Sequence, residues 1–150
     1  MNVSDLLDES RVLIKPEGSA SKEAILRELT QAALGEAAVD EVVAQLLARE
    51  GKVSTGIGLG VAIPHARTAH AREPMGAVAV SRSGVEFGSV DGEPAHIIFE
   101  LLTPEEDARA HVNTLAAVVT FFGDVFARER ILEAKSAAEV LEIFRGAGGG

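Results

Sequence analysis

Apolar positions along the chain fall into two rhythms, helical stripes of period near 3.6 and short unbroken runs, and these predict the elements in order. Val12-Leu13-Ile14 predicts a first strand, broken by Pro16-Glu17-Gly18-Ser19. Ser21 is a good N-cap with Glu23 in the first turn, and Ile25, Leu26, Leu29 and Ala33 then recur at helical spacing as far as Gly35. A second helix is expected from about Ala38 to Glu50, with Val39, Val42, Val43, Leu46 and Leu47 as its stripe and Gly51 at its C-terminal cap. Arg49 falls in its last turn, where a cation complements the helix dipole. Ser54 to Gly60, with glycines at 56, 58 and 60, is expected to be a loop. Val61-Ala62-Ile63 predicts a short strand that Pro64 stops.

Ala77-Val78-Ala79-Val80 predicts a further strand, which Ser83-Gly84 turns into a minor hairpin strand, Val85-Glu86-Phe87. Asp91-Gly92-Glu93-Pro94 is a second turn, and His96 to Leu102 is a nearly continuous apolar run of the central-strand kind. Thr103 as N-cap, Pro104 at N1 and Glu106 in a capping box predict a helix start, with the helix running to Phe122 and Gly123 past its end. His111, Leu115, Val118 and Phe122 share one face of it, which turns His111 toward the core side. Two short helices follow, Val125 to Ala134 and one capped by Ser136 with Glu139 at N3. The order β-α-α-β-β-β-α-α-α, plus the minor hairpin strand, predicts an α/β fold of three layers, α/β/α, with a mixed sheet between the helices. One domain, residues 1–145, is expected, with 146–150 as a flexible glycine-rich tail.

Composition narrows the chemistry. The chain has 150 residues, 47% apolar, with six Phe and neither Trp nor Tyr, so the core is built from aliphatic side chains. With no cysteine, disulfides, zinc-thiolate sites and thiol catalysis are excluded, and a reducing cytoplasm is compatible. No signal peptide and no window long enough to cross a membrane is present. A formal net charge of −9 disfavours nucleic acid as a partner and would steer a partner with a basic patch.

The densest unusual segment is Ser54-Thr55-Gly56-Ile57-Gly58-Leu59-Gly60-Val61-Ala62-Ile63-Pro64-His65. No Gly-Lys-Ser/Thr follows these glycines, which excludes a P-loop, and Gly-x-Gly-x-Gly before a strand is not a dinucleotide fingerprint. Closely spaced glycines let backbone N–H groups approach an anion, and the hydroxyls of Ser54 and Thr55 add donors. His65 would sit at a strand mouth beside that rim. Spacing alone leaves two readings open, an ordinary exposed histidine next to a tight loop and a phosphate-accepting imidazole, which must attack in its neutral form. Arg49 and His111 are the groups that secondary structure lets converge on it, although a solvated helix-end cation and a satisfied core histidine are the commoner cases. Arg67 reads as a surface charge open to a partner, His70 as exposed and incidental, and His96 as structural. With four scattered histidines and no His-Glu-x-x-His, a metal site is not expected, nor is a Ser-His-Asp triad without a Gly-x-Ser-x-Gly elbow.

The run from Arg49 to Arg67 closely resembles the signature of the mannitol/fructose-type enzyme IIA domain of the bacterial phosphoenolpyruvate-dependent sugar phosphotransferase system. Gly84-Val85-Glu86-Phe87, Asp91 to His96, Leu102-Thr103-Pro104 and His111 to Ala116 extend the resemblance, which covers about Val3 to Phe144. It implies a mixed sheet between helical layers, a cytoplasmic protein and no bound cofactor. It further implies that His65 accepts phosphate from the phosphohistidine of an HPr-like phosphocarrier and passes it to a IIB protein. His111 would support the phosphorylated ring and Arg49 would lie near the phosphate, with Ser54, Thr55 and Gly56 as further phosphoryl-stabilising candidates. No IIB or transmembrane IIC sequence accompanies the domain, so no direct membrane insertion is expected and the sugar stays open. A nitrogen-type IIA, a regulatory protein whose phosphorylation state controls its targets, is the alternative. A non-transferring relative, the cytoplasmic domain of anion transporters, is disfavoured by the presence of both His65 and His111.

Overall fold

A computed structural model describes residues 2–15, 21–50 and 56–148, the last two residues of α5 and residues 56–57 by backbone alone. The described elements run β1 (Val12–Lys15), α1 (Lys22–Leu34), α2 (Val39–Glu50), β2 (Gly56–Gly58), β3 (Val61–Ala62), β4 (His65–Thr68), β5 (Met75–Val85), β6 (Ala95–Pro104), α3 (Ala108–Phe122), α4 (Val125–Glu133) and α5 (Ala137–Gly148). Six strands form one mixed sheet, in the order β1-β5-β6-β3-β2 with β4 also on β6. β1 is parallel to β5, β5 antiparallel to β6, and β3 and β4 both parallel to β6.

Alternation along the strands sorts the core into two layers. Val78, Val80, Ile97, Phe99 and Leu101 face α3, α4 and α5, where Val118, Phe121, Phe122, Ile131, Val140 and Phe144 meet them. Phe99, Phe121, Phe122 and Phe144 form one aromatic cluster with ring centroids 4.5–6.0 Å apart. Ala62, Ala77 and Ala79 line the other face, and their small side chains leave room for Ile25, Leu26 and Leu29 of α1 and Val42, Val43 and Leu46 of α2. The expected three layers with a mixed sheet are thus the observed architecture.

The caps predicted for α1 and α5 are in place: Ser21 accepts from the N–H of Ala24, and Ser136 from that of Glu139. Four expectations change. The chain does not stop pairing at Pro64. It kinks there, the Pro64 carbonyl accepts from the Leu101 N–H at 2.9 Å, and β4 resumes in line with β3 along the same edge of β6. Gly56–Gly58 is a strand, not loop, and hairpins into β3 through Leu59 at φ 64° and Gly60 at φ 75°. Ser83-Gly84 is no turn: β5 runs unbroken to Val85, and the extra residues form an irregularity between Val80 and Val85 opposite β6. Gly84 is needed there, because at φ 83° a Cβ would sit 2.9 Å from Pro94. Finally, the helix does not begin at Thr103. Pairing of Arg67 with Thr103 and Thr68 with Pro104 holds both in β6, and Asp107 caps α3 instead by accepting from the Ala110 N–H at 2.9 Å. Two of these, at Pro64 and at Thr103, share one cause: strand β4, absent from the local pattern, pairs with β6 and holds there residues that local propensity assigns elsewhere. α5 carries helical backbone through Gly148, into the segment expected to be a flexible tail.

Candidate functional site

β4 lies at the rim of the sheet, paired with β6 alone among the described strands. In register, His65 sits beside Leu101 and Arg67 beside Thr103, on the face toward α3, while Ala66 turns to the α1–α2 side. An open cavity of about 640 Å³ spans this rim from α2 to α3, and Arg49, His65 and His111 all line it. The three residues singled out from the sequence therefore converge.

His65 is 8% exposed, and its ring centroid is 5.4 Å from that of His111 at an interplanar angle of 48°. Its Nδ1 lies 2.7 Å from the Ile63 carbonyl, across the Pro64 kink. A carbonyl only accepts, so Nδ1 carries a proton and, in the neutral ring, Nε2 carries the lone pair. Burial lowers the His65 pKa, and the charge of Arg49 adds to this against the raising effects of the Ile63 hydrogen bond and Glu50. The ring thus stays neutral at neutral pH, with its nucleophilic nitrogen unprotonated.

His111 is half-buried in the first turns of α3, and its Nδ1 lies 2.6 Å from Oγ1 of the wholly buried Thr103. Its pKa is lowered too, by burial first and then by His65, Arg67 and Arg49. Arg49 makes no ion pair with another described residue, so its charge stays available at the cavity. Two cations, Arg49 and Arg67, and two neutral imidazoles line the cavity beside the carboxylate of Glu105, a balance suited to a small oxyanion at an open mouth.

Ser54 and Thr55 lie outside the described residues, and for Gly56 only its backbone pairing with Ala62 is described. The later glycines serve the hairpin rather than the cavity: the Leu59 N–H donates to Asp91 Oδ2, and Gly60 abuts His96. Two cavity residues, Arg67 and Gln45, and Thr103, the partner of His111, have places that local spacing does not assign. Arg67 is exposed, as a surface charge should be, and it also lines the cavity, two residues beyond His65 on one strand. Gln45, one turn before Arg49 on α2, lines it also, with its Oε1 buried and without a partner among the described residues. Thr103 reaches His111 rather than a helix end. The i, i+2 spacing of His65 and Arg67 along β4 and the i, i+4 spacing of Gln45 and Arg49 along α2 are what put each pair on one face.

The remaining histidines are elsewhere. His70 meets Glu41 at 2.6 Å on the surface, and His96 donates from Nδ1 to the Ser81 carbonyl at 2.9 Å beside the β5 irregularity. Among the described residues no group of three or more His, Asp or Glu is placed to hold a metal ion. No single described helix is long and apolar enough to cross a membrane.

Residues 5–146 match the family model described as phosphoenolpyruvate-dependent sugar phosphotransferase system, EIIA 2. The chain is 32% identical over 148 residues to the fructose-specific EIIA component of the phosphotransferase system from Haloferax volcanii, spanning 95% of this chain and 96% of that one. It is also similar to the crystal structure of the nitrogen regulatory protein IIA-Ntr from Neisseria meningitidis, with TM-score 0.83 and 34% identity over 95% of this chain and 98% of that one. In fold alone it resembles the enzyme IIA of the mannitol system from Escherichia coli, seen in a complex with phosphorylated IIB, at TM-score 0.75 and 21% identity over 93% and 97%. With its fold, its rim cavity and these matches in agreement, the chain belongs to the EIIA 2 family of the phosphoenolpyruvate-dependent sugar phosphotransferase system.

Proposed function

We propose that this protein carries a phosphoryl group on His65, taken from the phosphohistidine of an HPr-like carrier and delivered to a IIB protein, in the cytoplasm and without a cofactor. The observation that carries this is the hydrogen bond from His65 Nδ1 to the Ile63 carbonyl, which leaves Nε2 as a lone pair opening on a cavity lined by Arg49 and His111. In the transfer, Nε2 forms a new N–P bond as the donor's N–P bond breaks, and that electron pair returns to the donor imidazole. The proton stays on Nδ1 and is donated to the Ile63 carbonyl, so the ring can take positive charge without losing its orientation. Arg49 neutralises the equatorial oxygens as they pass between the two rings. The relative in complex with phosphorylated IIB supports a IIB acceptor by likeness of fold.

Mass measurement after incubation with phosphoenolpyruvate, enzyme I and HPr tests this. One phosphoryl adduct is expected on the wild-type chain and none on His65→Ala; an adduct that survives the substitution overturns it. The similarity to a nitrogen regulatory protein favours a second reading, in which the phosphorylated rim controls the docking of a target by charge. A partner captured equally by phosphorylated and unphosphorylated protein would remove that reading.

A further inference from the structure

Both histidines at the rim are neutral and both are held through Nδ1, but by partners of different kinds. The Ile63 carbonyl accepts and nothing else, so the tautomer of His65 is settled by its partner. The Thr103 hydroxyl both donates and accepts, so the His111 tautomer depends on which way that hydroxyl turns. The two cases are opposite in consequence. If the ring donates, His111 Nε2 bears a lone pair toward the cavity, repels phosphoryl oxygens and competes as a nucleophile. If the hydroxyl donates, Nε2 bears a proton and offers it as a hydrogen bond.

Burial decides between them. Thr103 is 0% exposed, and His111 Nδ1 is the hydrogen-bond partner of its hydroxyl among the described residues. Were the ring the donor, the hydroxyl proton would be left without an acceptor in a site closed to water. A buried donor without a partner is the costly case, whereas an oxygen that leaves a lone pair unused is tolerated. We infer that Thr103 is a positioning residue whose hydroxyl donates to His111 Nδ1, fixing the tautomer that places an N–H at Nε2 and so making His111 the donor and His65 the nucleophile. The inference rests on the carrier reading only for its consequence, since the tautomer itself is a property of the unphosphorylated chain.

The backbone explains how Thr103 is free for this. Pairing with Arg67 keeps it in β6, on the same side of the sheet as His65, instead of at a helix N-terminus where its oxygen would accept from backbone N–H groups. Asp107 takes over the cap, and α3 enters one turn later with His111 above Thr103. Burial and the charges of Arg67 and Arg49 keep the His111 ring neutral, so that a tautomer rather than a cation is what the hydroxyl selects.

Imidazole 15N shifts of the two histidines, measured at neutral pH on the wild-type chain, Thr103→Val and Thr103→Ser, test the inference. The wild type and Thr103→Ser should show His111 with a protonated Nε2 and His65 with a protonated Nδ1. Thr103→Val, close in shape and β-branched, should shift His111 toward the other tautomer or a mixture and leave His65 unchanged. The initial rate of phosphorylation by phospho-HPr should fall by about tenfold or more in Thr103→Val and recover in Thr103→Ser, as for loss of one aimed donor. A wild-type His111 protonated at Nδ1, or a His111 signal indifferent to Thr103→Val, overturns it. A wild-type chain with the expected tautomers that takes up no phosphoryl group supports the Thr103 assignment and overturns the carrier reading instead.

Discussion

His65 and Glu100 are neighbours in the sheet, since His65 pairs with Leu101, yet they occupy opposite faces and opposite circumstances. His65 lines a cavity, with Nδ1 hydrogen-bonded to the Ile63 carbonyl and Nε2 without a partner among the described residues. Glu100 is sealed between β6 and α1: Thr30 donates to Oε2 at 2.8 Å, Ala77 lies across from it on β5, and Oε1 has no partner among the described residues. Burial drives both groups to neutrality from opposite directions. It lowers the pKa of the base His65 and raises that of the acid Glu100 to about 8, with the Thr30 hydrogen bond only partly opposing it. The same desolvation leaves an unprotonated nitrogen where the group borders a cavity, and costs stability where it does not. Perturbed titration by itself therefore does not mark a site; an unengaged atom facing a cavity does.

The comparison breaks most visibly in pH dependence. The folded-state pKa of Glu100 lies above its ordinary 4.5, so the folded chain retains a proton that the unfolded chain releases. Stability is then greatest at and below the ordinary value, declines as pH rises toward 8, and levels off above it, for a total of roughly 5 kcal/mol. Thermal melts between about pH 5 and pH 9 should show this fall, and Glu100→Gln should flatten it. An equally steep decline in that variant would assign the effect elsewhere. His65 behaves in the other sense. Its lowered pKa should keep phosphoryl acceptance intact as the pH drops through about 6.5, with loss only below it.

On the cavity side, Arg49→Gln should cost about 10²–10³-fold in the rate of phosphorylation, roughly 3–4 kcal/mol, with melting little changed. A stability loss of similar size would make Arg49 a structural cation. Thr30→Val removes the donor that Glu100 has among the described residues and should destabilise by about 1–3 kcal/mol, without effect on phosphorylation rate, which unfolding and transfer assays on one variant would separate. The smallest effect is expected from Arg67→Gln. Being exposed, Arg67 should alter transfer by about threefold, under roughly 1 kcal/mol, while the His111 pKa rises toward its ordinary value in an NMR titration. An unmoved His111 would show that Arg67 acts on solvent alone.

Much of the chain was legible because short-range physics decides it. The stripes of α1, α2 and α3, the Ser21 and Ser136 caps, the apolar run of β6 and the inward turn of His111 follow from residues within a turn or two of each other. Arg49, His65 and His111 are all legible in the sequence, the first from its helix end, His65 from its motif and His111 from its helical face. What local pattern left unresolved was β4 and everything that leans on it. Four residues, His65 to Thr68, mix polar with small side chains and follow a proline, so nothing local marks them as a strand. Only the edge of β6, some thirty-five residues further along, provides the hydrogen bonds that make them one.

The sequence by itself therefore determined the helices, the layer architecture and the identity of the acceptor candidate, since these depend on periodicity and on a contiguous motif. Tertiary structure alone decided that Pro64 is a kink rather than an end, that Thr103 belongs to a strand and serves His111, and that Arg67 borders the same cavity as Arg49. The physical reason is common to all three. A strand is completed by partners distant in sequence, and a hydroxyl or a guanidinium takes its role from whichever group the pairing sets before it.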